Sequence, residues 1–300
     1  MAKPLTLALY AWPKPFTDPH ISIIQRNGIR SWLQLHPRPE VFLFGNEDGI
    51  ADACRELGAV HVKDCPPVTD GVPKVRDLAI ITEGLSGASF FGYVNADIIL
   101  TQSLMTALRA AGNSHSRFLL GASPWNTSVP DLLDFGPDWE EKMRRRAREA
   151  NDLRGRAAAD FLIYPRGFLQ GAPEVLAGRR YVDNGLLWYA RHRRAALIDG
   201  TPGIFAVHQD HRRGARSVTH GDGITGVNWN RKAIGGDRHL FTWSNATHHY
   251  TNSGLKPYFT GRISIWPTHP RIRRRNSTLQ LLASSMVSIR KLLGIKSARG

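Results

Sequence analysis

Asn95 and Asp97 stand two residues apart inside the apolar run 90–100. Read as a single strand, that run puts both polar side chains on one face and Ala96 on the other. A carboxylate in so apolar a setting costs free energy unless it has a partner, and a cation is one such partner. The end of a buried strand is also where open α/β sheets place ligand chemistry. The competing expectation is structural, with Asp97 as a helix cap or a solvated loop residue.

Elements on either side must hold that polar step. Strands are expected at 5–10, 41–44, 59–62, 90–100, 117–120, 161–164 and 204–207. Helix-like segments at 21–35, 49–57, 74–85 and 104–111 separate the early ones. In the first helix Ile21, Ile24, Ile29, Trp32 and Leu35 make one face, with Gln25, Arg26 and Arg30 opposite. Asp18 and Pro19 mark its start and Pro37 its stop. This alternation predicts an α/β fold: a layered mixed, mostly parallel sheet flanked by helices. No Gly-x-Gly-x-x-Gly follows the first strand and no Walker loop occurs, which disfavours NAD-type and P-loop modules. Further on, 123–138 reads as a long loop and 139–156 as a charged, solvated helix. Residues 181–192 read as a helix opened by Val182-Asp183-Asn184, and 214–236 as a glycine-rich connection.

Three hundred residues suit one large domain or two small ones. Cys54 and Cys65 form neither a metal spacing nor a disulfide framework, so a reducing, cytoplasmic setting is expected. Residues 5–10 read as a first strand rather than a leader, and no apolar run is long enough to span a membrane. The net charge is +15, and eleven basic residues with no Asp or Glu lie in 238–300, leaving +4 for the rest. A mildly basic body argues against a nucleic-acid partner and for a separate electrostatic device at the C-terminus.

Six motifs in order carry a resemblance. They are Gln25-Arg26-Asn27-Gly28-Ile29-Arg30-Ser31-Trp32, Phe44-Gly45-Asn46-Glu47, Tyr93-Val94-Asn95-Ala96-Asp97, Phe161-Leu162-Ile163-Tyr164-Pro165-Arg166-Gly167, Val182-Asp183-Asn184 and Ala206-Val207-His208-Gln209. Together they resemble a GT-A type nucleotide-sugar glycosyltransferase, over about residues 5–250. The resemblance implies a nucleotide held across the C-terminal strand edges and a Mn²⁺ or Mg²⁺ on its diphosphate. The chain departs from the usual Asp-x-Asp pattern by carrying Asn95 first. Asn offers an oxygen but no charge, which weakens the expected hold on a metal.

The roles follow from that resemblance. Asp97 and His208 are the expected metal ligands, His208 because it ends a later strand near the same sheet edge; the alternative for His208 is a satisfied core or loop histidine. His211 follows at i+3 without a third zinc ligand nearby. Asp183 is the expected catalytic base, with a helix N-cap as its alternative. Asp160 is a second acceptor-side candidate. Tyr10, Trp12, Arg26, Asn46, Glu47, Lys74, Asp77 and Asn95 are expected on the donor, with Asn27 facing the same edge. A non-catalytic scaffold and a nucleotidyltransferase remain as alternative functions.

The expected domains are 1–250 and a basic extension, 251–300. In the latter, Leu279, Leu282, Met286, Ile289 and Leu293 fall on one helical face beside Arg271, Arg273-Arg274-Arg275, Arg290, Lys291 and Lys296. That pattern suits an interfacial helix on an anionic membrane, and with it a glycan or lipid-linked acceptor and a role in cell-surface or polysaccharide synthesis. Docking on its own domain or on a second subunit is the alternative.

Overall fold

A strand that is apolar at every position needs cover on both faces, and β1 (Leu7–Ala11) has it. A computed structural model describes residues 5–66, 71–210 and 224–269. Leu7, Leu9 and Ala11 join one buried cluster, and Ala8 and Tyr10 join another. This is the burial pattern of a parallel strand between two helical layers. β1 pairs in parallel with β2 (Glu40–Phe44) and with β4 (Phe90–Val94), and β2 with β3 (Val60–Val62). The helices α1 (Pro19–Leu33) and α2 (Ile50–Leu57) cover the Leu9 face together with α4 (Ser103–Ser114). The Tyr10 face is covered by α3 (Val75–Leu85) and α6 (Val182–His192).

The described residues form a nine-stranded sheet. From one edge it runs β12 (Gly254–Pro257), β11 (His248–Thr251), β9 (Ala196–Asp199), β6 (Phe118–Gly121), β8 (Phe161–Pro165), β4, β1, β2 and β3. Most of its pairings are parallel; β8 is antiparallel to β4 and β6, and β12 to β11. A second, three-stranded sheet sets β10 (Ala206–Gln209) between β5 (Ile98–Leu100) and β7 (Trp125–Thr127). Ile99, Phe205 and Val207 from this sheet pack on Met143 and Ala147 of α5 (Trp139–Ala150). The mixed, mostly parallel, helix-flanked sheet is the fold class expected. Among the described residues no helix is long and apolar enough to cross a membrane.

Four expectations need correction. The run 90–100 is two strands, because a turn at Ala96 and Asp97 sends β5 out of the large sheet to pair with β10. The charged helix stops at Ala150, where Asn151 takes a left-handed φ of 48°, so residues 154 and 156 lie beyond it. Part of the glycine-rich connection is helix α7 (Ile224–Ala233). The boundary at residue 250 cuts the β11–β12 hairpin, so the fold runs on through α8 (Phe259–Ile263). His211 and the amphipathic stretch 279–293 lie outside the described residues.

Candidate active site

Asn95-Ala96-Asp97 is a tight turn in which Ile98 N–H reaches Asn95 C=O at 3.0 Å. Helix α1 presses on it. A Cβ at Gly28 would lie 2.3 Å from Ala96 O and 3.1 Å from Ile98 O, so only glycine allows this approach. Trp32 donates its indole N–H to Ile98 O at 2.8 Å, and Ser31 Oγ accepts from Leu100 N at 3.0 Å. Asn95 and Asp97 are therefore turn residues rather than neighbours on one strand face, yet both line the same cleft of about 1320 Å³.

His208 reaches Asp97 through strand register. It stands opposite Ile98 in the β10–β5 pair, and its Nε2 lies 3.6 Å from Asp97 Oδ2. A buried amide lattice fixes this approach. Gln209 donates Nε2 to Asp97 O at 2.9 Å and to Ile24 O at 2.7 Å, while its Oε1 accepts from Asn27 Nδ2 at 3.1 Å. Asn27 also accepts from Leu133 N at 2.8 Å. Asn27 is thus a buried tie rather than a donor contact. No group of three His, Cys, Asp or Glu able to hold a metal occurs among the described residues. One carboxylate and one imidazole would hold a cation such as Mn²⁺, or Mg²⁺ through the carboxylate, only with further oxygen ligands from outside the protein, not in a closed protein cage.

Asp183, in the first turn of α6, lines the same cleft. Tyr181 caps that helix in the left-handed region, φ 71°, and no side chain caps it. Asp183 instead accepts from Asn184 N at 2.9 Å and from Ala159 N at 3.2 Å, so it is not the N-cap of the structural alternative. The residue borders the cleft and is half-buried, its carboxylate held by those two backbone amides. Burial lifts that carboxyl to about 7, and the Asp160 charge adds to the rise; the two amides and Arg154 pull the other way. Asp160 accepts from Asn95 Nδ2 at 3.2 Å and lies 3.1 Å from Arg154 Nη1. Tyr93 marks where the acids converge. Burial above all pushes its phenol up to about 12, the Gly178 N–H bond opposes this, and Asp183, Asp97 and Asp160 reinforce it.

Of the expected donor residues, Trp12 and Asn95 line the cleft. Gln25 holds the Trp12 loop by accepting from Lys14 N at 2.7 Å and donating to Lys14 O at 2.9 Å. The other six do not line it. Tyr10 is fully buried, its hydroxyl 2.6 Å from that of Tyr164, because position 10 faces the α3–α6 layer. Arg26 pairs with Glu56 of α2 at 2.9 Å. Lys74 and Arg76 both grip Glu174, at 2.5 and 2.6 Å, and Arg76 lies 3.5 Å from Asp77. Asn46 is exposed beyond β2. Glu47 turns back on Gly45, where a Cβ would lie 2.1 Å from its Oε2 and 3.1 Å from Trp12 Nε1.

Sequence reasoning missed the basic part of the wall. Arg154, Arg179 and Arg180 all line the cleft. Arg154 was hidden in a run of arginines that read as one solvated helix. Arg179 and Arg180 directly precede Tyr181-Val182-Asp183, a position that could have drawn notice. Buried Asn230 of α7 fixes their segment by accepting from Leu176 N at 2.7 Å and donating to Arg180 O at 3.0 Å.

No protein-family model and no curated protein matches this chain. Solved structures do. Glucosyl-3-phosphoglycerate synthase from Mycobacterium tuberculosis aligns at 13% identity over 78% of this chain and 82% of that one, with a TM-score of 0.47. The same enzyme with uridine-diphosphate aligns at 12% identity over 85% and 87%, TM-score 0.46. Its complex with Mn²⁺, uridine-diphosphate-glucose and phosphoglyceric acid aligns at 12% identity over 78% and 81%, TM-score 0.46. These are distant likenesses.

Proposed function

We propose that this protein is a GT-A type glycosyltransferase that moves a sugar from a nucleotide-sugar donor to an acceptor hydroxyl. The observation that carries the reading is one cleft lined by Asp97 and His208, 3.6 Å apart, and by Asp183, its carboxyl lifted to about 7. Asp97 and His208 would hold Mn²⁺ or Mg²⁺. A cation held there neutralises charge on the departing diphosphate. Trp12 offers the donor base an aromatic face at the cleft rim. Asp183 takes the proton of the acceptor hydroxyl as its oxygen bonds to the sugar carbon, and the bond from that carbon to the diphosphate breaks with its electron pair leaving on phosphate. A carboxyl that titrates near neutral pH suits a general base. The acceptor is a glycan or a lipid-linked head group of cell-surface synthesis, and the basic extension keeps the enzyme on the inner face of the membrane.

Thermal-shift titration with UDP-, GDP- and dTDP-sugars, with and without Mn²⁺, tests this. The wild type gains a cation-dependent rise in melting temperature with one donor class. Asp97→Ala and His208→Ala, still folded, lose the cation-dependent part. Folded wild type that responds to no donor in either condition defeats the proposal.

A further inference from the structure

The last described stretch turns its large apolar side chains outward. Phe259 and Ile263 share one face of α8 and are 70% and 57% exposed. Ile265 and Trp266 follow at 70% and 58%. Four of the nine large apolar side chains exposed among the described residues fall in these eight positions. Scattered exposed apolar residues are ordinary, whereas a cluster marks an interaction surface.

The backbone beneath them is firmly held. Arg191 of α6 donates to Gly261 O at 2.6 Å and to Arg262 O at 2.9 Å. Buried Asn245 donates to Ser264 Oγ at 3.2 Å and to Trp266 O at 2.9 Å. A Cβ at Gly261 would lie 1.7 Å from Ala246 O, so glycine is what seats α8 directly on that backbone. Polar side chains from the body thus fix a segment whose own apolar groups stay outside.

Charge selects the partner. No Asp or Glu occurs from 238 to 300, and exposed Arg262 lies within the cluster, with exposed Lys256 three residues before it. A second copy of this surface would bring like charge against like charge. Anionic lipid takes both parts, with head groups for Lys256 and Arg262 and the acyl boundary for Phe, Ile and Trp. The cluster also lies near the cleft. His269 is three residues past Trp266, a reach of about 10 Å at most. It lines the cleft, and its ring meets Tyr181 edge-on at 5.8 Å, two residues before Asp183.

We propose that residues 259–266 seat the protein on an anionic bilayer with the Tyr181–Asp183 wall turned toward the lipid, so that the acceptor class is an amphiphile presenting its head group from that bilayer. The seating surface stands by itself; only the word acceptor rests on the transferase reading.

The test uses the full chain with vesicles of phosphatidylcholine, alone or mixed with phosphatidylglycerol. Ile263→Ser/Trp266→Ser removes exposed apolar groups and keeps every charge, so melting temperature stays at the wild-type value. Binding to mixed vesicles is expected to fall at least about tenfold. A head-group-photoactivatable phosphatidylglycerol in the same vesicles is expected to label 178–184 in the wild type and about tenfold less in the variant. Equal vesicle binding by wild type and variant overturns the seating surface. So does a wild type that ignores vesicles and forms a dimer that the variant dissolves. Labelling confined to other faces overturns the orientation. Vesicle binding and labelling as expected, with no donor bound in the thermal-shift titration, removes the transferase reading and leaves the surface intact.

Discussion

Asp183 owes its proposed chemistry to its surroundings. The carboxyl is packed in protein beside Asp160, and both effects favour the protonated form, giving a value of about 7 against an ordinary 3.8. As a base it must be ionised, so kcat/KM is expected to rise with pH through about 7 and level off above it. Asp183→Asn should remove that rise and lower kcat by about 10²–10⁴-fold; near-wild-type turnover in the variant would rule out the base role. The same shift has a stability consequence. Between 3.8 and about 7 the unfolded chain releases a proton that the folded protein keeps, so this contribution is full below 3.8 and lost as pH rises through about 7. Relative to the wild type, the Asn variant should therefore gain stability between acid pH and about pH 8, by up to a few kcal/mol at about 1.4 kcal/mol per unit. Chemical denaturation at acid and alkaline pH measures this; an Asn variant less stable at the alkaline end than at the acid end, relative to wild type, contradicts it.

Elements decide which residues arrive at the cleft. The four early helices were legible because each follows an apolar strand and carries its own apolar stripe; Ile24, Ile29 and Trp32 of α1 are buried as the spacing required. β11 and β12 were not legible, because paired histidines stand in one and Lys and Pro in the other. The split of the run 90–100 was hidden for another reason: its cause is Gly28, about seventy residues away in sequence. Glycine inside a helix ordinarily costs about 1 kcal/mol relative to alanine, so Gly28→Ala would stabilise an isolated α1. Here a methyl group would meet backbone oxygen at 2.3 Å, and backbone cannot step aside as a flexible side chain can. Gly28→Ala is expected to destabilise the fold by about 1–3 kcal/mol and to weaken cation-dependent donor binding, since Asp97 sits in the displaced turn. Urea denaturation with the thermal-shift titration checks both; an unchanged or raised stability would mean that α1 does not press on the turn as described.

At the scale of the whole molecule the cleft gathers segments that are far apart in sequence: Trp12, the 95–97 turn, Arg154 to Asp160, Arg179 to Asn184, His208 and His269. That Asp97, Asp183 and His208 line one cleft was expected from acids and a histidine placed at element ends. Arg26, Lys74 and Tyr10 misled because their side chains are taken by Glu56, Glu174 and Tyr164, partners that only the tertiary fold reveals. The same long-range logic carries the fold past residue 250. Asn245 is fully buried, and it donates to Ser264 and Trp266 and accepts from Thr268 at 2.5 Å. Arg191 leans on Gly261 and Arg262, and Tyr258 N–H reaches Thr247 O at 2.7 Å. Ending the chain at 250 removes β12, bares the edge of β11, and strips partners from a buried amide and a guanidinium, at about 1–3 kcal/mol for each group left unsatisfied. For a domain of this size each kcal/mol lowers Tm by about 2–4 °C. A 1–250 chain is therefore expected to melt at least about 10 °C below the full-length protein, or to aggregate. Calorimetry on the two lengths decides it: equal Tm would mean that β12 and α8 add nothing to the fold.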